Sequence, residues 1–222
     1  MSIINHLNLV ISKEDSSKYI NLVWNITGSD FDAAKTLMPI SKTMKRDEIS
    51  FHDGVKLLGY LCLLIEELNG DILEIGVWKG KSLAFMSKIS STSRRIIGID
   101  PCALVNQERE LLFFQENIFP NCLLMIGYSE YLLKEVSEIT KSLALLHIDG
   151  GHNKRNVALD FLLYSPFVVS GGFIVFDDDH DNEYSPEVGP AVDLLRVGGF
   201  FRDFNILGTV DNFRNSYVLQ RI

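Results

Sequence analysis

The sequence predicts an α/β fold with a doubly wound, mostly parallel sheet that ends in an antiparallel hairpin. From Asp71 onward, short apolar runs alternate with helix-like segments, as expected when parallel strands are joined by crossover helices. The apolar runs are continuous, which indicates strands that are covered on both faces. Near the C-terminal end, only "DNFR" separates two strand-like runs. Because that gap is too short for a crossover helix, the two runs must pair antiparallel.

The elements follow one another from residue 54 to residue 222, after an N-terminal helical and lid segment of residues 1–53. Val55, Leu58 and Ile65 belong to an apolar stripe with helical spacing, which Asn69 and Gly70 close. Strands and helices then alternate in the order DILEIG, Ser82–Ser90, RRIIGID, QERELLFFQENI, CLLMIG, SEYLLKEVSEI, LALLHID, KRNVALDFLLYS, GFIVFD and EVGPAVDLLRVGG. The hairpin strands are FNILGTV and NSYVLQRI.

The bulk properties favour one domain with a filled core, since the chain has 222 residues and 46% hydrophobic content. The net charge of −8 argues against nucleic acid as the main partner. No signal peptide is recognisable at the start, and no stretch approaches the roughly 20 apolar residues that a membrane span needs. Three widely spaced cysteines beside apolar segments predict buried free thiols. We therefore expect a cytoplasmic protein with no membrane partner.

The segment between Lys35 and Arg46 is basic and irregular, and it contains Pro39. It lacks the periodicity of a core element, and long functional loops often act as lids. We expect a loop or lid here, and a solvated surface segment explains the pattern equally well.

The first strand leads into the turn "LEIGVWKGKS", which carries Glu74, Gly76, Gly80 and Ser82. In open α/β sheets, ligands bind at the carboxyl ends of the strands, and the first turn usually carries the glycines. The spacing E-x-G-x-x-x-G lacks the tight glycine pair that brings backbone close to a pyrophosphate. A carboxylate at Glu74 suits a ligand that carries an ammonium or a sulfonium. The alternative is an ordinary strand-to-helix turn in which the glycines serve packing.

Polar residues also follow the second and third strands. Asp100 lies at the distance from the glycine turn where an acidic residue commonly accepts hydrogen bonds from a ribose diol. A turn or N-cap aspartate before Pro101 is the alternative. The third strand is followed by Gly127, Tyr128 and Ser129, which we expect to border an adenine ring.

Carboxylates cluster where the fourth and fifth strands end. "LALLHIDGGHN" reaches Asp149 and His152, and "GGFIVFDDDHD" reaches Asp177 and Asp178. Like charges this close raise one another's pKa unless a positive charge lies among them. Because the two strands are expected to be neighbours, their carboxylates can converge on a divalent cation, and hard oxygen ligands suit Mg²⁺ better than zinc. An aspartate-rich surface turn is the alternative.

The segments "EIGVWKGKS", "IGID", "IDGGHNKRNVALD" and "GGFIVFDDD" make residues 54–222 similar to the S-adenosylmethionine-dependent methyltransferases related to macrocin O-methyltransferase. They also resemble the small bacterial O-methyltransferases that share the signature IDGxH. The resemblance implies the Rossmann-like class I methyltransferase fold, S-adenosylmethionine as cofactor and Mg²⁺ as metal. The residues then expected at the cofactor are Glu74, Gly76, Gly80, Ser82, Asp100, Tyr128, Ser129 and Asp149.

The same resemblance assigns the metal and the base. The positions matching Asp149, Asp177 and Asp178 would hold Mg²⁺, and His152 corresponds to the proposed general base of the macrocin-type relatives. An imidazole suits proton removal near neutral pH. The alternative is that His152 caps or packs against the next helix. His147 lies inside the strand and is expected in the core or behind the site.

The resulting hypothesis is Mg²⁺-assisted transfer of a methyl group to a hydroxyl of a small molecule. A sugar or polyhydroxylated natural product is favoured as the acceptor over a catechol-type phenol. Two departures bear on the acceptor: Asp179 stands where relatives often carry an aromatic residue, and the tyrosine common after the histidine is absent. Relatives often form oligomers, and the sequence leaves the oligomeric state open.

Two alternatives belong to other classes. One is a cephalosporin hydroxylase-like protein of the same fold, against which the lack of a 2-His-1-carboxylate triad for iron counts. The other is a cofactor-binding module without turnover. The presence of Asp149, His152, Asp177 and Asp178 together counts against that module.

Overall fold

The computed structural model describes residues 53–210 and 216–222. The predicted lid between Lys35 and Arg46 lies outside these residues. The described helices are α1 (Asp53–Leu64), α2 (Lys81–Ile89), α3 (Gln107–Ile118), α4 (Ser129–Ile139), α5 (Lys154–Tyr164) and α6 (Val188–Val197). The described strands are β1 (Asp71–Ile75), β2 (Ile96–Asp100), β3 (Leu123–Ile126), β4 (Leu143–Ile148), β5 (Val168–Phe176), β6 (Phe204–Val210) and β7 (Ser216–Arg221).

The seven strands form one sheet in the order β3-β2-β1-β4-β5-β7-β6. Strands β1 to β5 pair in parallel, whereas β7 pairs antiparallel with both β5 and β6. This arrangement confirms the predicted α/β fold with its closing hairpin. The strand order reverses between β1 and β4, so a crevice opens there at the carboxyl ends of the strands.

Apolar side chains cover both faces of the sheet. Ile72 and Leu145 pack with α1, α2 and α3 in one cluster, and Leu73 and Leu146 pack with α4, α5 and α6 in the other. This two-sided burial is why the parallel strands are apolar throughout. The cysteines are free thiols, as predicted, and Cys62 and Cys122 are buried while Cys102 is half-buried. Among the helices described, none has the length and apolar composition needed to cross a bilayer.

Strand β5 starts earlier than the sequence pattern predicts. The segment before Gly172 resembles a turn, yet it belongs to the strand. Leu143 pairs with Val168 and Leu145 pairs with Phe173, so the register shifts between these two pairs. Gly171 has a φ of 81°, a left-handed conformation that lets the chain make this irregularity without leaving the sheet.

Arg94 closes the connection between α1 and β1, a role that periodicity does not reveal. Its guanidinium donates hydrogen bonds to the carbonyls of Ile65 (2.6 Å) and Leu68 (2.9 Å), and also to that of Gly70. A charged donor here satisfies carbonyls that the end of a helix leaves open. The clamp fixes where β1 begins and therefore where its carboxyl end delivers the glycine turn.

Candidate functional site

A cavity of about 610 Å³ opens at the carboxyl ends of β1, β2, β4 and β5. It contains most of the residues predicted as functional, from the glycine turn at one side to the aspartates after β5 at the other. The predicted residues that line it are Gly76, Ser82, Asp100, Tyr128, Ser129, Asp149, His152, Asp177 and Asp178.

Gly76 brings the ends of β1 and β4 into direct contact. Its φ is 89°, and a Cβ there would overlap the carbonyl of Asp149. The amide of Gly76 donates to the carbonyl of Ile99 (2.8 Å), and the amide of Asp149 donates to the carbonyl of Ile75 (2.8 Å). The glycine therefore positions the loop that carries Asp149 as well as the floor of the cavity.

The Gly76→Ala substitution is expected to destabilise the fold and to displace Asp149. The positive φ alone costs about 1–3 kcal/mol, and overpacking against the Asp149 main chain adds about 1–3 kcal/mol. Gly199→Ala is the matched control, because Gly199 has a φ of 75° and nothing within 4 Å of its added Cβ. Chemical denaturation of both variants checks the difference. Equal losses of unfolding free energy would show that the close approach to Asp149 has no energetic weight.

Two predicted cofactor residues lie behind the cavity wall instead of in it. A Cβ at Gly80 would overlap the ring of Phe119, so this glycine serves the packing of α2 against the residue that follows α3. Glu74 is fully buried and accepts a hydrogen bond from the Ser82 hydroxyl. Both residues support the cavity wall in this structure, and their assignment to direct cofactor contact stays a prediction.

Glu74 also contacts His147 on the neighbouring strand. Its Oε1 lies 2.9 Å from His147 Nδ1, while Oε2 has no hydrogen-bond partner among the described residues. Burial by itself lowers the pKa of His147, but the hydrogen bond and charge of Glu74, with the charges of Asp149 and Asp177, raise it to about 9. His147 is only 3% exposed, as the core prediction requires, yet it also reaches the cavity.

Asp100 lies in the wall of the cavity with its acceptor positions occupied. Its Oδ2 accepts from the amides of Val77 (2.9 Å) and Trp78 (2.7 Å), and its Oδ1 accepts from the amide of Cys102 (2.7 Å) and the Gln107 side chain (2.9 Å). A carboxylate offers about four lone-pair sites, so these donors use its capacity. Asp100 thus organises the glycine turn, and the ribose role predicted for it stays a prediction that competes with these internal bonds.

His152 is oriented by a serine that the sequence patterns do not single out. His152 Nε2 lies 3.5 Å from Asp149 Oδ1, and His152 Nδ1 lies 2.7 Å from the Ser185 hydroxyl. Ser185 is 1% exposed and also hydrogen-bonds Asp178 Oδ2 at 3.0 Å. Because a serine has one proton, donation to Asp178 leaves its oxygen to accept from His152 Nδ1–H. In the charged imidazole Nε2–H points to Asp149 Oδ1, and in the neutral imidazole Nε2 is the nitrogen without a proton.

The predicted metal ligands fall into two overlapping groups. His147, Asp149 and Asp177 each place one ligand atom within 4.8 Å of the others, and so do Asp149, His152 and Asp178. Each group has one histidine, whereas the sequence predicted a set of three aspartates. Burial and the charge of Asp177 raise the pKa of Asp149 to about 7, although His152 and His147 oppose this. The hydrogen bond to Asp149 raises the pKa of His152 against the opposing effect of burial.

Asp179 points away from this cluster. It is buried, accepts a hydrogen bond from Thr209 Oγ1 at 2.8 Å on β6, and pairs with His180 Nδ1 at 2.6 Å. Burial raises its pKa, while these two partners lower it. The third aspartate of the run therefore anchors the hairpin and leaves the cavity to the first two.

The far end of the cavity contains a buried carboxylate that the sequence analysis missed. The Ser129 hydroxyl donates to Asp160 on α5, and the Tyr164 hydroxyl donates to the Ser129 carbonyl at 2.7 Å. Burial raises the pKa of Asp160 to about 6. Tyr128 remains 55% exposed beside this network. An aspartate inside a helix gives no signal in the sequence, because its partner lies on another element.

Comparison with known proteins adds family information to this geometry. The model of a family described as "Methyltransferase domain" matches residues 73–178. An uncharacterised protein, R132 of Acanthamoeba polyphaga mimivirus, is 34% identical over 151 residues, which are 66% of this chain and 68% of that protein.

Several solved structures with the same fold are O-methyltransferases. The O-methyltransferase NovP superposes with a TM-score of 0.64 at 16% identity, covering 93% of this chain and 99% of its own. An O-methyltransferase from Bacillus cereus in complex with SAH has a TM-score of 0.58 at 16% identity, covering 97% and 94%. At these identities the similarity establishes the fold.

Proposed function

Because the chain belongs to the methyltransferase-domain family whose model matches residues 73–178, we propose that it transfers the methyl group of S-adenosylmethionine to a hydroxyl of a small molecule. One observation carries the proposal. A single cavity joins a glycine turn at the end of β1 to a histidine and a carboxylate cluster after β4 and β5. Such a cavity offers a place for the donor beside a place for acid–base chemistry.

The cofactor half of the cavity is proposed to lie along the glycine turn and the end of β2. Gly76 has no side chain, so its main chain is directly accessible from the cavity. Asp100 accepts hydrogen bonds from the amides of Val77 and Trp78 and fixes their positions. Trp78 is 45% exposed and Tyr128 is exposed as well, and both line the cavity, so planar apolar surface is available for an adenine ring. Similarity to a structure solved with SAH supports this assignment.

The acceptor half is proposed to lie at Asp149, Asp177 and Asp178, with a divalent metal ion held among them. The donor set fits a cation, since several carboxylate oxygens face one another across a few ångströms and burial keeps the pKa of Asp149 high. A bound divalent ion lowers the pKa of a coordinated hydroxyl. A sugar or polyhydroxylated compound with two vicinal oxygens is the acceptor class that this chemistry favours.

His152 is proposed as the general base. Its Nε2 faces the cavity beside Asp149, while Ser185 holds Nδ1 and fixes the ring. The imidazole would accept the hydroxyl proton, and S-adenosylmethionine would supply the methyl group to the oxygen as its S–CH3 bond breaks and S-adenosylhomocysteine leaves. Alignment of the two reactants in one cavity supplies much of the rate.

Calorimetry with the full-length chain tests the cofactor part of the proposal. S-adenosylmethionine is expected to bind, and Asp100→Ala is expected to weaken it by about 1–3 kcal/mol, because the turn loses its organising acceptor. Asp203→Ala is the control, since Asp203 pairs with Arg221 at 3.7 Å near the far end of the hairpin. A folded Asp100→Ala protein with unchanged affinity would remove Asp100 from the site, and absence of binding to the unmodified chain would overturn the cofactor assignment.

A further inference from the structure

We propose that His147 coordinates the metal through Nε2, together with Asp149 and Asp177, and that the site consequently selects Mn²⁺ or Fe²⁺ over Mg²⁺. This inference rests on the metal-binding part of the proposed function and changes its ligand set and its metal. The carboxylate-only set predicted from the sequence gives way to two carboxylates and one imidazole.

The strand register places these three residues on one face of the sheet. His147 pairs with Val175 and Ile148 pairs with Phe176, so Asp149 and Asp177 are the first residues beyond the ends of β4 and β5. Side chains alternate along a strand, so His147 and Asp149 project to the same side. A ring nitrogen of His147 and one oxygen of each aspartate lie within 4.8 Å of one another.

Only Nε2 of His147 can reach a metal, and binding there displaces the proton that the imidazole carries below its pKa of about 9. Nδ1 lies 2.9 Å from Glu74 Oε1, so that nitrogen faces β1. The residue is 3% exposed and nevertheless contributes to the cavity wall, which leaves Nε2 as the nitrogen to face Asp149 and Asp177. His147 therefore lies between the buried carboxylate of Glu74 and the carboxylates of Asp149 and Asp177. A histidine that served only packing would not require carboxylates on both sides.

Glu74 completes the arrangement from behind. Metal-ligating histidines almost always hydrogen-bond through the other ring nitrogen to a carboxylate, a carbonyl or water, which fixes the ring and raises its basicity. Glu74 is fully buried on β1, and the register pairs it directly with His147. Glu74 does not line the cavity, and its side chain hydrogen-bonds Ser82 and His147, so its charge is directed at the imidazole.

The mixed donor set determines the metal class. Mg²⁺ prefers oxygen ligands and retains water, whereas imidazole suits first-row transition ions. Two carboxylates with one imidazole favour Mn²⁺ or Fe²⁺, which accept both donor types. The second group, around His152, is less suited to hold the ion, because the His152 side chain is 38% exposed whereas His147 is buried.

Pulsed electron paramagnetic resonance of the full-length protein with Mn²⁺ tests the ligand directly. After chelator treatment and addition of Mn²⁺ alone, the spin-echo modulation is expected to show coupling to one directly bound ¹⁴N. Labelling histidine with ¹⁵N in the unmodified chain should convert that coupling to a ¹⁵N coupling. His147→Gln should abolish it, while His152→Gln and the exposed control His180→Gln should retain it.

Glu74→Gln keeps the shape behind the ring and removes its charge. It is expected to retain the nitrogen coupling while lowering Mn²⁺ affinity by about 10- to 100-fold. In unmodified protein, titration should give tighter binding of Mn²⁺ than of Mg²⁺, and His147→Gln should reduce that preference. Should His147→Gln fail to fold, nitrogen coupling that persists in His152→Gln, together with the Glu74→Gln titration, decides the question.

The outcomes separate this inference from the proposed function. Mn²⁺ binding without histidine coupling, or coupling lost only in His152→Gln, overturns the His147 assignment and leaves metal-assisted methyl transfer intact. Equal affinity for Mn²⁺ and Mg²⁺ overturns the selectivity. No binding of either ion overturns this inference together with metal assistance, while cofactor binding measured by calorimetry still stands on its own.

Discussion

Asp149→Asn is expected to stabilise the metal-free protein at neutral pH and to remove most of its affinity for divalent metal. Burial and the negative charge of Asp177 outweigh the attraction of His152 and His147, so the pKa of Asp149 rises to about 7. The native state therefore takes up a proton that the unfolded chain has lost between about pH 4 and pH 7. The free energy of unfolding falls as pH rises through that window. An asparagine does not ionise, so the variant does not lose this stability.

Denaturation of metal-free protein at several pH values checks this expectation. The variant should be more stable than the unmodified chain at pH 8, and the difference should shrink through pH 4 and vanish below it, where Asp149 is protonated in both the folded and the unfolded state. Asp203→Asn is the control, because its side chain is 56% exposed. A variant that is less stable at pH 8 would mean that His147 and His152 stabilise the ionised form of Asp149 more than burial and Asp177 disfavour it. The cluster would then not need an added cation.

His152→Ala is expected to lower turnover by about 10²- to 10⁴-fold, the usual loss on removal of a general base. Affinity for S-adenosylmethionine and for divalent metal should change little, because the proposed metal ligands His147, Asp149 and Asp177 stay in place. Added metal should not restore the rate, whereas it should partly restore activity in Asp149→Asn. The exposed His180→Ala variant is the matched control.

Steady-state kinetics with a confirmed acceptor decides the role of His152. Ser185→Ala should lower kcat with little effect on KM, since the imidazole stays but loses its orienting partner. Ser185→Thr, which keeps the hydroxyl, should recover part of the rate. Full turnover by His152→Ala across the pH range would show that the base assignment is wrong.

The fold could be predicted because its signals are local. Continuous apolar runs, crossover segments and a gap too short for a helix determine the sheet and its hairpin without knowledge of any contact. The convergence of Asp149 with Asp177 follows from the same topology, since both residues end neighbouring parallel strands. Their placement in one cavity with His152 agrees with the sequence-based prediction.

The supporting residues could not be predicted, because their partners are distant in sequence. Glu74 was assigned to the cofactor on motif spacing, but its environment is set by the register with His147, 73 residues away. Ser185 lies in an irregular loop between β5 and α6, and Asp160 lies on a helix, so neither belongs to a pattern. Motif spacing identifies the turn, while the pairing of strands decides which side chains reach the cavity.

Transfer of a labelled methyl group tests the central claim most directly. The full-length chain would be incubated with methyl-labelled S-adenosylmethionine and a panel of sugars, polyhydroxylated compounds and catechols, with and without Mn²⁺ or Mg²⁺, beside His152→Ala. The account predicts that label appears on an oxygen of an acceptor with vicinal hydroxyls, that chelator suppresses it and that the variant loses it. Binding of S-adenosylmethionine with no transfer to any acceptor class, or equal transfer by His152→Ala, would contradict the account.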